Sequence, residues 1–240
     1  MRSKILPALF VCGLMPAGLT YAQTADEIVA SNLKAKGGIE KLKSISSVKM
    51  IGKMTAQGRE MPMTVYSKRP NLLRQDIKLP VGSVVQAFDG TTAWVIPPGE
   101  EAAREVTGPQ AEGARKNADF DSPLLDYAAK GHKIELVGKE KAGGADVYHL
   151  RLVKKDGAIE HYYIDATTNL EVKRTAEVDA GGATQLLESE LSDYKPIDGM
   201  MIPHTIKQSM GGMPVSQMTI DSIVFNGPME DTLFKMPAKK

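Results

Sequence analysis

Lys68-Arg69-Pro70-Asn71 and, a short way downstream, Phe88-Asp89-Gly90-Thr91-Thr92-Ala93-Trp94 followed by Pro97-Pro98 decide how this chain is read. Pro70 cannot donate a ladder hydrogen bond, so it stands at a strand end and not within one. Asp89-Gly90 between apolar runs is a hairpin signal, because a type I′ turn needs φ > 0 at both central residues. The two stretches describe consecutive antiparallel strands. Arg69 stands at one strand end, and the single Trp of the chain lies just past a tight turn.

The period of two extends far beyond this pair. Strands are read near 47–56, 61–69, 71–79, 83–88 and 91–96, then 132–139, 145–154, 159–165, 170–178, 184–195, 201–210 and 213–226. Gly143-Gly144, Asp156-Gly157, Gly181-Gly182, Asp198-Gly199 and Gly211-Gly212 supply the turns. Ahead of the strands, Thr24 with Glu27 forms a capping-box pattern. Ile28, Val29 and Leu33 follow at helical spacing and Gly37-Gly38 ends the run. Ile39, Leu42 and Ile45 suggest a second short helix. The strands are interrupted from Ala111 to Lys130. There Ser122 as N-cap, Pro123 at the first position and Gly131 beyond the end predict a helix over 123–130. The expected architecture is mainly β: a curved antiparallel sheet, an incomplete half-barrel, with helices on its concave face.

Residues 1–22 have the features of a secretory signal peptide. Arg2 and Lys4 precede an apolar run from Ile5 to Leu19 that is too short for a span of about 20 residues. Thr20-Tyr21-Ala22 places small residues at the cleavage positions. The rest, 23–240, is expected to be one soluble periplasmic domain. The only cysteine, Cys12, lies inside the leader, so the exported chain has no thiol for a disulfide, a metal or a nucleophile. Without Arg2 and Lys4 there are 28 basic against 29 acidic residues, a net charge of −1, which argues against nucleic-acid binding.

The first hairpin has an unusual face. With Gln57-Gly58 as its loop, Met54 opposes Met61, Gly52 opposes Met63 and Met50 opposes Val65. Without Met1 and Met15, 11 of the 13 methionines remain, but only four Phe. Methionine is flexible and polarizable and suits varied apolar partners. This face is either a methionine-rich core or a deformable pocket for acyl chains. In the second hairpin Trp94 shares a face with Val85, Ala87 and Ile96, and it is either a core anchor or part of that pocket.

No catalytic or metal pattern stands out. With Asp156-Gly157 as a two-residue turn, His149 and His161 fall on opposite faces and cannot share an ion. His132 and His204 lie elsewhere. No Gly-x-Ser-x-Gly elbow, P-loop or Gly-x-Gly-x-x-Gly cradle is present. Asp119, Asp121 and Asp126 sit where helix-capping acids are expected. The reading is a non-enzyme with no cofactor.

The order strand, Arg-Pro-Asn, strand, Asp-Gly-x-x-x-Trp, Pro resembles the LolA-like periplasmic carriers of outer-membrane lipoproteins. Ser122-Pro123-Leu124-Leu125 lies where that family has its central lid helix. Asp231-Thr232-Leu233-Phe234-Lys235-Met236-Pro237 looks like the family's closing Phe-x-x-Pro segment. The resemblance implies a half-barrel whose cavity, between sheet and lid, takes acyl chains of lipids or lipoproteins. The methionine face of the first hairpin then supplies Met50, Met54, Met61, Met63 and Val65 to the candidate lining, with Trp94, Leu124 and Leu125. The resemblance also implies that Arg69 latches the lid, against the plainer role of a solvated strand end. The implied partners are lipid or acylated cargo and a membrane donor or acceptor protein, with the carrier itself a monomer. A non-transporting envelope sensor or scaffold that binds lipid or protein is the alternative.

Overall fold

The computed structural model describes residues 23–180 and 183–238. The leader expected over 1–22 and the Gly181-Gly182 turn lie outside the described residues. The chain begins with the capping box: Thr24 Oγ1 accepts from the Glu27 amide, and the Glu27 carboxylate accepts from the Thr24 amide. Helix α1 (Ala25–Ala35) follows, and Gly37 and Gly38, at φ 124° and 89°, turn the chain into α2 (Ile39–Ser44).

Six strands come next: β1 (Ser47–Ala56), β2 (Arg59–Lys68), β3 (Leu72–Leu79), β4 (Gly82–Phe88), β5 (Ala93–Ile96) and β6 (Arg104–Val106). Helix α3 (Pro109–Asn117) opens the mid-chain insertion. Seven strands complete the sheet: β7 (Lys133–Ala142), β8 (Ala145–Val153), β9 (Ile159–Asp165), β10 (Glu171–Ala180), β11 (Ala183–Ile197), β12 (Met200–Met210) and β13 (Met213–Phe225). A 3₁₀ turn over Asp231–Leu233 leads into the C-terminal segment.

All 13 strands form one antiparallel sheet in the order β6-β5-β4-β3-β2-β1-β13-β12-β11-β10-β9-β8-β7. The β1–β13 seam joins an N-terminal meander to a C-terminal one. The free edges are β6 and β7, so the curved sheet stays open as a half-barrel. The insertion 107–132 is the stretch of chain that connects those two edges.

Turn chemistry sets the register as expected in four hairpins. Gln57-Gly58, Gly143-Gly144, Asp198-Gly199 and Gly211-Gly212 are two-residue loops with φ > 0 at both positions. Two other turns differ from expectation. Asp89-Gly90 is not a type I′ pair: Phe88 opposes Ala93, so the loop has four residues. The Asp89 carboxylate accepts from the amides of Thr91 and Thr92 and closes this loop on itself. Likewise Val153 opposes Ile159, so the β8–β9 loop runs from Lys154 to Ala158. Five residues in place of two reverse the parity, and every assignment across that hairpin changes face.

The helix predicted over 123–130 is also corrected. Ser122 Oγ does accept from the Leu124 amide, but Asp126 takes φ 52° and the segment is a series of turns. The helix of the insertion is α3, earlier in the chain. Pro109 at its first position and the Gly108 N-cap start it.

Helices pack on the concave face. From α1, Ile28, Val29 and Leu33 form one buried cluster with Leu124 and Leu125 of the insertion and with Leu150, Leu152, Tyr162 and Ile164 of β8 and β9. From α3, Ala111 and Ala114 pack on Phe88, Ala93 and Ala118. Burying side chains of this size contributes about 1.5–3 kcal/mol each. On the opposite face the C-terminal segment crosses the sheet. Phe234 is fully buried there, and its carbonyl accepts from Trp94 Nε1 at 2.7 Å.

Candidate functional site: an apolar trough under a pinned strap

Register places the methionines of the first hairpin as the alternation predicts. Met50 opposes Val65, Gly52 opposes Met63 and Met54 opposes Met61. Pairing then carries the row onward: Met54 opposes Met218, Met218 opposes Ile206, and Ile206 opposes Leu191. The line Met61–Met54–Met218–Ile206–Leu191 therefore crosses five adjacent strands on one face. Strands lie about 4.8 Å apart, so the row is about 19 Å long.

This is the face that carries the helices. Leu73 packs both in the methionine cluster and against Phe88 and Ala93 under α3. Met63, Val65 and Ile77 are buried, while Met50, Met54, Met61 and Met218 are half-buried beside them on the same face. Among the described residues no helical side chain joins this cluster. Ile206 and Leu191 are likewise half-buried. The middle of the concave face is thus an apolar trough, left open between the part covered by α1 and the part covered by α3.

The α3 end of the trough is roofed. A cavity of about 510 Å³ lies between α3 and strands β3 to β6. Leu73, Phe88 and Val106 give it apolar walls, Gln75 and Gln86 a polar strip, and Ala114 part of its roof. Volumes of roughly 300–1,000 Å³ are usual for small-ligand sites.

Arg69 sits at the foot of β2 and reaches two elements. Its Nε donates to the Ile45 carbonyl at 2.6 Å, and Nη2 donates to the Leu42 carbonyl at 3.3 Å, at the C-terminal end of α2. The same guanidinium forms a two-pronged ion pair with Asp121 of the insertion, Nη2 to Oδ1 being 2.7 Å. It also lies over the Phe120 ring, 4.6 Å from the centroid. The planar fork suits this work, since it satisfies a carboxylate and two carbonyls at once. Further contacts hold the insertion. Lys43 pairs with Asp126, and the Tyr127 hydroxyl donates to Asp26 of α1. Lys130 Nζ donates to the Ser122 carbonyl, and burial pushes its ammonium pKa down against the pull of Asp121 and Asp126.

The residues expected to share a site separate into three places. Met50, Met54, Met61, Met63 and Val65 do meet in one cluster. Leu124 and Leu125 are in the α1 cluster, where they tie the insertion to β8 and β9. Trp94 is 1% exposed and alternates to the far face with Ala87 and Ala103, although the cavity wall includes part of it. Sequence reasoning missed α3 altogether, as well as Asp121 as the partner of Arg69. Gly108-Pro109 marks the helix start, and the Asp119-Asp121-Asp126 cluster held the ion-pair acceptor.

No protein-family model matches the sequence, and no curated protein does. Solved structures do match in shape. An outer-membrane lipoprotein-sorting protein domain from Vibrio parahaemolyticus superposes with a TM-score of 0.60 at 14% identity, over 88% of this chain and 95% of that one. The chain has the LolA-like fold. A LolA superfamily protein from Nitrosomonas europaea matches at TM-score 0.57 and 17% identity, over 89% and 98% of the two chains. A DUF1329 family protein from Desulfovibrio piger matches at TM-score 0.60 and 14% identity, over 88% and 97%. At these identities the likeness is one of fold. Among the described residues no helix is long and apolar enough to cross a membrane.

Proposed function

We propose that this chain is a periplasmic carrier that binds the acyl chains of lipids or lipoproteins in the concave trough, with the 107–132 insertion as its lid. The observation that carries the reading is the five-strand row Met61–Met54–Met218–Ile206–Leu191. It is apolar, continuous and only half-buried. A core of this kind would normally be covered, and a contiguous exposed apolar surface marks a site of interaction. Methionine makes it deformable, so it fits chains of differing length. The sorting-domain and LolA superfamily folds agree with such a role. Binding and release are the whole of the proposed activity, and no reaction is assigned.

The test is to make the trough polar in its middle. Met54→Glu places a carboxylate in the row, and burying it under a lipid acyl chain unpaired costs several kcal/mol. We expect at least a tenfold loss of affinity for a lipophilic fluorescent dye, with a circular-dichroism melt that shows a folded protein. Met54→Leu should bind nearly as well as the parent, since it conserves volume. Undiminished dye binding in folded Met54→Glu would refute the trough. Native mass spectrometry of protein purified from periplasm then reads the cargo class directly. Bound lipid that passes to acceptor vesicles supports a carrier, and lipid retained while a protein partner is captured supports the sensor alternative.

A further inference from the structure

The five-residue β8–β9 loop brings His149 and His161 onto one face, the one turned away from α1. Arg151 opposes His161 directly and Tyr163 opposes His149. His149 Nε2 and His161 Nδ1 stand 2.7 Å apart. The His149 ring stacks on Tyr163, 4.5 Å between centroids, which fixes its plane. His149 Nδ1 lies 3.4 Å from the Glu140 carboxylate. The tautomer with the proton on Nδ1 turns that proton toward Glu140 and directs the Nε2 lone pair at His161. A carboxylate behind an imidazole is the usual outer support of a metal-binding histidine.

We propose that His149 Nε2 and His161 Nδ1 form a two-nitrogen chelate for a divalent transition-metal ion, copper(II) in particular. With His149 in that tautomer, the His161 Nδ1–H donates to His149 Nε2 in the metal-free state. On binding, that proton moves through solvent to His161 Nε2, and the rings turn so that both lone pairs meet the metal to one side of the line joining the nitrogens. Two nitrogens bound at about 2.0–2.1 Å and at right angles to one another stand about 2.9 Å apart. The observed 2.7 Å is close to that separation, so the nitrogens need to move little while the rings turn to aim both lone pairs at one ion. A right angle is the tetragonal preference of copper(II), which also binds nitrogen most strongly among the divalent first-row ions. Among the described residues no three His, Cys, Asp or Glu side chains gather as a metal cluster. Water completes the coordination, and Glu140 remains a support for His149.

The charged and titratable groups around the pair are Glu140 and Glu135 of β7, Arg151 of β8, Tyr163 of β9 and Lys173 of β10. Arg151 is engaged by Glu135 and Lys173 by Glu188, so both cations are tied back by carboxylates. Protons compete with the metal for imidazole nitrogen, so binding should weaken on acidification. The site lies on the face opposite the trough and does not depend on the carrier reading.

The experiment titrates copper(II) sulfate into tag-free protein, followed by calorimetry and electron paramagnetic resonance. We expect one ion per chain with coupling to two nitrogens, lost on acidification to pH 5. His149→Gln and His161→Gln should each weaken binding at least tenfold, and dye binding in the trough should be unchanged. Equal copper uptake by the double variant would mean an adventitious ion only and would overturn the site. If a variant does not fold, the parent spectrum still decides, because a signal without two imidazole nitrogens sinks the proposal.

Discussion

Arg69 gathers more polar contacts than any strand-end residue needs for solubility. Its guanidinium is about a quarter exposed, as is the Asp121 carboxylate, so the pair is screened in part by solvent. Hydrogen bonds from a charged group still net about 1.5–3 kcal/mol. Arg69→Leu keeps much of the apolar stem over Phe120 and removes the link between β2, α2 and the insertion. A loss of that size shifts an open–closed equilibrium by tenfold or more, yet it is small beside the stability of the fold. We expect faster amide exchange across 107–131 and faster ligand release, with the exchange of β1, β2 and β13 unchanged. A uniform rise in exchange over the whole sheet would make Arg69 a structural residue only. The sequence named Arg69 through the Arg-Pro motif. It did not name Asp121, because a carboxylate near an expected helix start reads as a cap, and a contact across 52 positions leaves no local trace.

At the scale of elements, the strands were legible and the faces were legible only where loop parity was. A two-residue loop and a four-residue loop give the same partition, so the misread turn at Asp89 left Phe88, Ala93 and Trp94 on their expected sides. The odd loop after β8 did not forgive the error, and it moved His161 onto the face of His149. Helix α3 was missed because Gly113 and the run of charged residues mask its apolar side, which is only Ala111 and Ala114. The seam between β1 and β13 could not be foreseen either, since it pairs residues some 170 positions apart, as in Gly52 opposite Ile220. That seam makes its own demand. A Cβ added at Gly52 would lie 2.1 Å from the Thr219 carbonyl oxygen, where the register slips by one residue. Gly52→Ala must push the two strands apart beneath the trough. Overpacking of this kind costs about 1–3 kcal/mol, which for a chain of this size lowers the melting temperature by roughly 2–4 °C per kcal/mol. A thermal melt unchanged within a degree would show that the seam yields without cost.

The whole molecule is an open sheet whose two free edges are bridged by one strap, and its groups with depressed pKa values lie in the loops and on β9. Burial, then Lys130 and Lys154, hold His132 below its usual value. Burial, then His149 and Arg151, do the same for His161. In both cases the unfolded chain binds the proton more readily, so linkage makes stability fall as pH drops from 6.5 toward the folded values. Three turn aspartates act at lower pH. Burial raises Asp89, but the Thr92 and Thr91 amides outweigh it and leave it lowered. The Ala158 amide lowers Asp156, and the Thr168 amide lowers Asp165. Their contribution is complete above the usual carboxylate value of 3.8 and is lost as pH falls through the folded values. The melting temperature in metal-free buffer should therefore decline in two stages on acidification, a shallow one beginning near pH 6.5 and a steeper one below about pH 4. His132→Gln together with His161→Gln removes the histidine protons and should flatten the first stage while leaving the second. Asp89→Asn can no longer offer a carboxylate to the Thr91 and Thr92 amides, so it should lower the plateau at neutral pH and soften the second stage. A profile that stays flat from pH 7 to 5 in the parent would show that the histidines bind protons equally in the folded and unfolded chains.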